Sequence, residues 1–242
     1  MSVTGCGSGM DYGKYFEFRQ VRPGDYSNFE VPRYLLNTLG DSKDARILDF
    51  GCGFGQLAFA LRALGFRRVE GLDIAPAAIE HCRSRGLECH DGADSEFFEL
   101  GAARYDFVVT SHVVEHFPKD QIIPLLERLF GILRPGGALV VIVPNAQSNT
   151  GAYWAYEDFT HCTLFTAGSL YYVLRAAGFD PVSILDPDAL DASRGFKRMA
   201  RALLLRVYRA NYFFWNKVTG SAVHAPSEVS FAFEVKALGR RP

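Results

Sequence analysis

The sequence predicts an α/β fold with a seven-stranded, mostly parallel sheet and helices on both faces. Short apolar runs, of which RILDF at 46–50 is the first, alternate along the chain with longer segments of helical spacing. That alternation is typical of parallel strands that are covered by helices on both sides. The composition agrees, since 48% of the 242 residues are hydrophobic and 14% are aromatic, which excludes a disordered chain.

The elements follow one another in a regular order. The predicted strands, separated by predicted helices, are 46–50, 67–74, 105–114 and 138–145, with a short run at 181–187 and a last strand at 227–238. The predicted helices are 56–65, 75–86, 119–137 and 167–179. We therefore expect one α/β domain over residues 41–242.

Two segments interrupt the alternation. Residues 1–40 are rich in Tyr and Phe and are predicted to form an aromatic cap or arm. Residues 195–220 are predicted to form an amphipathic helix inserted before the last strand. On a helical wheel its basic residues lie on one broad side: Lys197, Arg198, Arg201, Arg206, Arg209 and Lys217. Its apolar residues lie on the other side: Leu203, Val207, Ala210 and Phe214. Such a helix either lies on a membrane surface through residues 197–218 or packs its apolar side on its own domain.

Charge and cysteine content exclude several classes. With 26 Lys and Arg against 27 Asp and Glu, the chain has no overall field that would attract nucleic acid. Its five cysteines are irregularly spaced without a C-x-x-C pair, which is typical of reduced thiols. No leader and no run of roughly 18 apolar residues is present. We expect a cytoplasmic protein, with peripheral contact at the inner membrane face left open by the 195–220 helix.

A glycine-rich loop follows the first strand. In LDFGCGFG, Gly51, Gly53 and Gly55 precede a predicted helix, and small residues there let backbone N–H groups approach a ligand. Asp49 lies just before the loop, and Asp73 ends the next strand, where a carboxylate can accept both hydroxyls of a ribose. The dinucleotide fingerprint would have a third glycine at position 56, which is Gln here. The loop predicts a site for a nucleoside without a pyrophosphate.

Several sequence motifs, taken together and in order, resemble those of a known enzyme family. LDFGCGFG, GLDIAPAAIE, HDGAD, YDFVVTSHVVEH, LRPGGALVVIVPN and a later H-x-x-x-FT-x-x-SL followed by AGF occur in order from Arg46 to Phe179. They resemble class I S-adenosylmethionine-dependent methyltransferases, which implies a Rossmann-like fold and S-adenosylmethionine as the cofactor. By this resemblance Asp49 and the Gly51–Gly55 loop hold the methionine part and Asp73 holds the ribose. The implied cofactor set also contains Cys52, Ile74 and Ser111, with Gly92, Ala93 and Asp94 on the adenine side.

The stretch SHVVEHF, Ser111 to Phe117, allows three functional interpretations, besides a structural one in which Glu115 packs or caps and His116 satisfies backbone groups. His-x-x-Glu-His is also a zinc-peptidase pattern, but the glycine loop would then have no purpose, so we reject it. In the second interpretation His116, with Glu115 beside it and His161 from a later segment, forms the catalytic group, and His161 is the foremost general base. In the third, a divalent metal is held by His112, Glu115, His116 and His161. That set resembles small-RNA 2′-O-methyltransferases, although His112 replaces their first Glu. We assign no metal.

The acceptor is predicted from the segment after the fifth strand. It offers aromatic and carboxylate side chains that suit sugar rings and sugar hydroxyls, and His112 is added to this acceptor set: Asn145, Tyr153, Trp154, Tyr156 and Asp158. An ordinary aromatic lid explains the segment almost as well. The motif Y-x-D-x-T-H-x-x-x-FT resembles methyltransferases encoded with polysaccharide assembly genes.

The sequence thus predicts an O-methyltransferase that acts on a sugar hydroxyl of a glycan or lipid-linked saccharide. The alternatives are a metal-dependent 2′-O-methyltransferase of RNA, a small-molecule O- or N-methyltransferase, and a non-catalytic binding subunit with a methyltransferase fold. The saccharide or another hydroxyl-bearing acceptor is the expected partner, and nucleic acid is not.

Overall fold

One seven-stranded sheet organises the chain in the computed structural model, which describes residues 14–26, 28–94, 96–100, 103–224 and 228–242. The strands are β1 Arg46–Phe50, β2 Arg68–Asp73, β3 Glu88–Asp91, β4 Tyr105–Ser111, β5 Leu133–Pro144, β6 Val182–Ile184 and β7 Glu234–Arg240. Their order is β3-β2-β1-β4-β5-β7-β6. The pairs among β1 to β5 are parallel, and β7 is antiparallel to both of its neighbours. The predicted fold class is confirmed.

Helices cover both faces of the sheet. They are α1 Tyr15–Phe18, α2 Arg33–Leu39, α3 Gln56–Ala63, α4 Pro76–Ser84, α5 Glu96–Leu100, α6 Lys119–Ile132, α7 Gly151–Glu157, α8 Ala167–Ala176 and α9 Gly195–Thr219. One core packs α6 and α8 on the sheet through buried residues such as Leu126 and Leu170. The other packs α2, α3 and α4, with Leu61 and Ile79 buried. Successive β1 residues supply the two cores alternately, as the strand period requires.

The strand order places the loops that matter at one edge. The chain leaves β1 toward β2 on one side and later returns to β4 on the other side of β1. At such a switch point the loops after neighbouring parallel strands separate and leave a crevice at their carboxyl ends. The glycine loop after β1, Asp73 at the end of β2 and the SHVVEHF turn after β4 all meet there.

The buried carboxylate of Glu70 on β2 joins this strand to β1, β3 and β4 toward the opposite end of the sheet. It accepts hydrogen bonds from Arg104 (2.6 Å), Tyr105 (2.7 Å) and Arg46 (3.1 Å), and it lies 2.9 Å from His90 Nε2. Burial alone would raise the pKa of Glu70, but these partners outweigh it and lower the pKa to about 2. The charged carboxylate therefore stabilises the folded chain at neutral pH.

The last strand is shorter than predicted. The alternating pattern begins at residue 227, yet β7 starts at Glu234. The preceding carbonyls are taken by a side chain instead of a neighbouring strand, because Asn145 Nδ2 donates to Ser230 O (2.9 Å) and to Ala232 O (2.7 Å). Helix 119–137 also ends early, at Ile132, where β5 begins.

The inserted helix is present as α9, but its apolar side does not pack on the domain. None of its residues is buried, and the side chains of Leu203, Val207 and Phe214 are 61%, 61% and 59% exposed. The interpretation that this side packs on its own domain was wrong. No helix within the described ranges has the length and apolarity needed to cross a membrane.

Candidate active site

A cavity of about 650 Å³ lies at the switch point of the sheet. Its floor is the glycine loop and the ends of β1 and β2, and the turn after β4 forms one wall. The N-terminal segment and the segment after β5 close the other sides, through residues such as Tyr15 and Trp154. The cavity is large enough for a nucleoside and part of an acceptor together.

The glycine loop is held against β2 by backbone hydrogen bonds. The N–H groups of Gly51 and Cys52 donate to Leu72 O at 2.8 and 3.0 Å. Gly51 has a positive φ of 78°, and a Cβ added there would overlap the Val113 side chain, so only glycine fits. A Cβ on Gly53 would meet nothing closer than 3.6 Å, and its absence leaves room on the cavity side.

Two buried acidic side chains, Asp49 and Asp73, lie in this floor. Asp73 is fixed by backbone donors, Gly53 N to Oδ2 at 2.8 Å and Ala75 N to Oδ1 at 2.9 Å. Burial, followed by the charge of Asp73, raises the pKa of Asp49 to about 7, and burial raises that of Asp73. No cationic side chain of the described residues forms an ion pair with either. The floor therefore favours a positively charged nucleoside and opposes a phosphate, which fits S-adenosylmethionine.

Not every residue of the predicted cofactor set lies in the cavity wall. Asp49, Gly51, Cys52, Gly53, Asp73, Ile74 and Ser111 do. Gly55 starts α3 away from the wall. The turn Gly92, Ala93 and Asp94 also lies outside it, and the Asp94 carboxylate accepts from Glu96 N (2.9 Å) at the start of α5. The adenine-side assignment stays a prediction that this cavity does not support.

His116 is held by a hydrogen-bond chain. Its Nδ1 lies 2.6 Å from Thr160 Oγ1, and that hydroxyl donates to Asp158 Oδ1 at 2.6 Å. Because a hydroxyl has one proton, Thr160 must accept from His116, so Nδ1 bears the imidazole proton. Nε2 is then a free lone pair on a ring that lines the cavity, and it has no hydrogen-bond partner among the described residues. Burial, with a contribution from the charge of His161, lowers the pKa of His116, so the ring is neutral near pH 7.

Asp158 anchors this chain. It is buried and also accepts a hydrogen bond from Tyr15 of the N-terminal segment, at 2.7 Å. Burial would raise the pKa of Asp158, but hydrogen bonds from Thr160 and Tyr15 lower it below its usual value. It is a carboxylate at neutral pH and so holds the Thr160 hydroxyl in the donating orientation.

His161, the foremost predicted base, also lines the cavity. Its Nδ1 is 2.6 Å from Trp154 O, which requires a proton on Nδ1. Its Nε2 lies 3.9 Å from Glu115 Oε1 and 3.9 Å from Asp158 Oδ2, and its side chain is only 5% exposed. The ring reaches the cavity wall beside His116, with the two ring centres 4.8 Å apart. The geometry favours His116 over His161 as the base.

His112 is a cation in this site. Burial lowers the pKa of His112, but Glu115 and Glu234 on either side of the ring outweigh it and raise the pKa to about 10. His112 Nδ1 is 3.3 Å from Glu115 Oε1, and Nε2 is 2.9 Å from Glu234 Oε1. A protonated imidazole cannot accept a proton, so His112 contributes positive charge to the cavity wall, with both of its N–H groups directed at carboxylates.

Glu115 is one of the residues that would hold a divalent ion in the metal-dependent alternative. It is fully buried, and neither carboxylate oxygen accepts a hydrogen bond within the described residues. Glu115, His116 and His161 each offer one donor atom within 4.8 Å of the others. Both rings have Nδ1 occupied and Nε2 left over, which is how metal-binding histidines are oriented. The residues present would thus accept a divalent ion, and that alternative stays open.

The predicted acceptor residues divide by helical face. Trp154 and Asp158, four residues apart, line the cavity together with His112. Tyr153 and Tyr156 are 53% and 79% exposed and lie outside its wall. Asn145 is fully buried, and its amide bonds the chain before β7. For these last three residues acceptor contact stays a prediction that this cavity does not support.

Several residues of the cavity were not foreseen. Tyr15 and Phe16 reach it from the N-terminal segment, Glu234 and Phe233 come from the start of β7, and Thr160 holds His116. Residues 1–13 of the predicted cap lie outside the described ranges.

Comparison with known proteins fits this geometry. A family model described as a methyltransferase domain matches residues 14–184, which is most of the chain. The chain belongs to this methyltransferase family. It is a class I methyltransferase whose cofactor is S-adenosylmethionine, and the match covers the glycine loop, both aspartates and all three histidines of the site.

Curated relatives and solved structures agree on the family. The chain is 31% identical over 192 residues to a ubiquinone biosynthesis O-methyltransferase of Cereibacter sphaeroides, covering 71% of this chain and 76% of that protein. It is 40% identical over 99 residues to a ribosomal protein L11 methyltransferase of Thiobacillus denitrificans, where the match covers 39% of this chain and only 31% of that protein. A SAM-dependent methyltransferase of Archaeoglobus fulgidus has the same fold, with a TM-score of 0.64 at 18% identity over 96% of this chain and 100% of that chain.

Proposed function

We propose that this methyltransferase methylates a hydroxyl oxygen and that His116 accepts the hydroxyl proton. The observation that carries the proposal is the chain from His116 Nδ1 through Thr160 to Asp158, which leaves Nε2 unprotonated at the cavity wall. Bound S-adenosylmethionine supplies an electrophilic methyl group. The protein's main task is then to align the acceptor oxygen and to remove its proton late in the transfer.

Side chains of the site take up the proton that the acceptor hydroxyl loses. With S-adenosylmethionine bound, the oxygen–carbon bond would form as the carbon–sulfur bond to the methyl group breaks and S-adenosylhomocysteine leaves, and the proton of the broken O–H bond would pass to His116 Nε2. The resulting imidazolium still donates from Nδ1 to Thr160, and the Asp158 carboxylate stabilises the added charge. The buried carboxylate of Glu115 also lies close to this ring, and its negative charge adds to that stabilisation.

We take a saccharide as the acceptor, free or lipid-linked. Trp154 offers an aromatic face for a sugar ring, and Asp158 with the His112–Glu234 pair offers partners for hydroxyls. The motif around Thr160 and His161 resembles methyltransferases encoded with polysaccharide assembly genes.

A second acceptor class is a hydroxyl on an aromatic ring. Much of the wall around the acceptor side is aromatic: Tyr15, Phe16, Phe29, Tyr34, Phe117 and Phe233. A relative named for O-methylation in ubiquinone biosynthesis matches 71% of the chain. A phenol would stack on these rings without needing sugar-specific partners.

The test is methyl transfer from labelled S-adenosylmethionine to nucleotide sugars, lipid-linked saccharides, small phenols and RNA, followed by location of the label. We expect label on a hydroxyl oxygen of a saccharide, loss of transfer in His116→Gln, and no loss with a chelator. Label on nitrogen, or a His116→Gln enzyme as active as wild type, would refute the proposal. Loss with a chelator and recovery with a divalent ion would instead establish the metal alternative at Glu115, His116 and His161.

A further inference from the structure

α9 presents an apolar stripe to solvent. Its residues are three or four positions apart, except for one step of seven positions, which is two helical turns, and they are between 58% and 79% exposed: Phe196, Met199, Leu203, Val207, Phe214 and Val218. At this spacing they lie on one side of the helix. An exposed apolar surface of this length marks an interaction site, because leaving it in water is unfavourable.

The opposite side of α9 is attached to the domain. Tyr208 OH donates to Asn149 Oδ1 at 2.7 Å, and the Tyr208 and Tyr212 rings pack edge to face on Phe231, with centroids 5.0 and 4.9 Å away. Arg209 pairs with Asp188 at 2.8 Å. These contacts fix the rotation of the helix, so the apolar stripe points away from the domain.

The charge on α9 has one sign. Its 25 residues include no Asp or Glu. Lys197, Arg206 and Lys217 border the stripe and form no ion pair with any residue in the described part of the chain. The surface is therefore apolar at its centre and positive along its borders. Interfacial membrane helices combine the same features, and the cations attract anionic headgroups.

We propose that α9 binds the surface of an anionic lipid membrane, with the Phe196–Val218 stripe among the acyl chains and the bordering cations at the headgroups. A second copy of this chain fits less well. Pairing two such stripes would bring rows of Lys and Arg together with no carboxylate on either helix to balance them. A lipid surface with negative headgroups satisfies both the apolar stripe and the cations.

The orientation of α9 also bears on the identity of the acceptor, and this step rests on the proposed function. Phe231, on which α9 packs, is two residues from Phe233 in the cavity wall. A membrane under α9 would thus lie near the cavity, and the proposed acceptor would be a saccharide or another hydroxyl compound that is attached to a lipid. Membrane binding itself does not depend on the identity of the acceptor.

The test is flotation of the full-length protein with vesicles of phosphatidylcholine, with or without phosphatidylglycerol. We expect binding to the anionic vesicles that weakens at high salt. Leu203→Ser combined with Phe214→Ser should lower partitioning by about tenfold or more, because it removes apolar burial at the centre of the stripe. Arg206→Glu with Lys217→Glu should abolish the preference for phosphatidylglycerol. Tyr172→Ser on α8, an equally exposed aromatic position away from α9, is the matched control and should float like wild type.

Three results would overturn the proposal. They are wild-type protein that does not float with anionic vesicles, a Leu203→Ser, Phe214→Ser variant that floats as well as wild type, and a stripe-dependent dimer in sedimentation equilibrium without vesicle binding. Circular dichroism of each variant is the check that it is folded. Because no cofactor or acceptor is present in the flotation assay, its outcome is independent of the methyl-transfer assay.

Discussion

Thr160 is the residue through which the base hypothesis can be tested without touching the base. Replacing it with valine removes the hydroxyl that accepts from His116 Nδ1 and donates to Asp158, both at 2.6 Å. The imidazole is then free to hold its proton on Nε2, where it cannot accept another. A hydrogen bond linked to a charged group contributes about 1.5–3 kcal/mol. If the transition state loses this stabilisation, kcat should fall by about 10- to 100-fold.

The assay is initial-rate kinetics with the best acceptor from the methyl-transfer screen, together with calorimetric binding of S-adenosylmethionine. We expect kcat to fall while the Kd of the cofactor stays unchanged, since Thr160 lies away from Asp49 and Asp73. Thr163→Val is the matched control, because Thr163 is equally buried and its hydroxyl, among the described residues, bonds only Phe117 O at 3.4 Å. A Thr160→Val enzyme with kcat within about twofold of the control would refute the role of the chain.

The other predictions concern the cofactor site, stability and pH. Asp73→Asn should weaken S-adenosylmethionine binding by about 10-fold or more, because the cofactor loses a charged hydrogen-bond partner. Asp91→Asn, outside the cavity, should leave the affinity unchanged. Calorimetry that shows equal affinities for the two variants would contradict the assignment of Asp73. Glu70→Gln should lower the free energy of unfolding by about 3 kcal/mol at pH 7, because the folded-state pKa of Glu70 is depressed. In denaturant titrations this deficit should shrink as the pH falls from 4.5 through about 2, and a deficit independent of pH would count against it. Finally, kcat should decline as the pH falls through the pKa of His116, which lies below 6.5; a pH–rate profile whose acid limb persists in His116→Gln would assign that limb to another group.

The cofactor floor could be predicted from the sequence because its residues are close together in the chain. Gly51, Gly53 and Asp49 belong to one strand-loop-helix unit, and Asp73 ends the next strand of a parallel pair. Parallel topology brings the ends of such strands to one edge, so local pattern and global fold agree.

The acceptor side could not be predicted in the same way, because its contacts join distant segments. Thr160 meets His116 across 44 residues, and Glu234 meets His112 across 122. Nothing local identifies either partner. Likewise Cys52, Cys82 and Cys89, irregular in sequence, have sulfur atoms within 4.8 Å of one another in the fold.

The segment after β5 shows what a secondary-structure assignment adds. Its aromatic and acidic residues suggested contact as a group. Residues 151–157 are helical, and Trp154 on this helix and Asp158 directly after it line the cavity, while Tyr153 and Tyr156 do not. For α9 the helix was predictable, but which of its sides meets the domain depended on Phe231 and Asp188, which lie outside it.

The protonation of His116 tests the proposed mechanism most directly. Two-dimensional ¹H–¹⁵N spectra of the imidazole groups, assigned with His116→Gln, report which nitrogen bears the proton and at what pH the ring becomes charged. A neutral ring at pH 7 with the proton on Nδ1 and a pKa below 6.5 is the predicted result. A ring that is charged at pH 7, or neutral with its proton on Nε2, would contradict the role of His116 as the base.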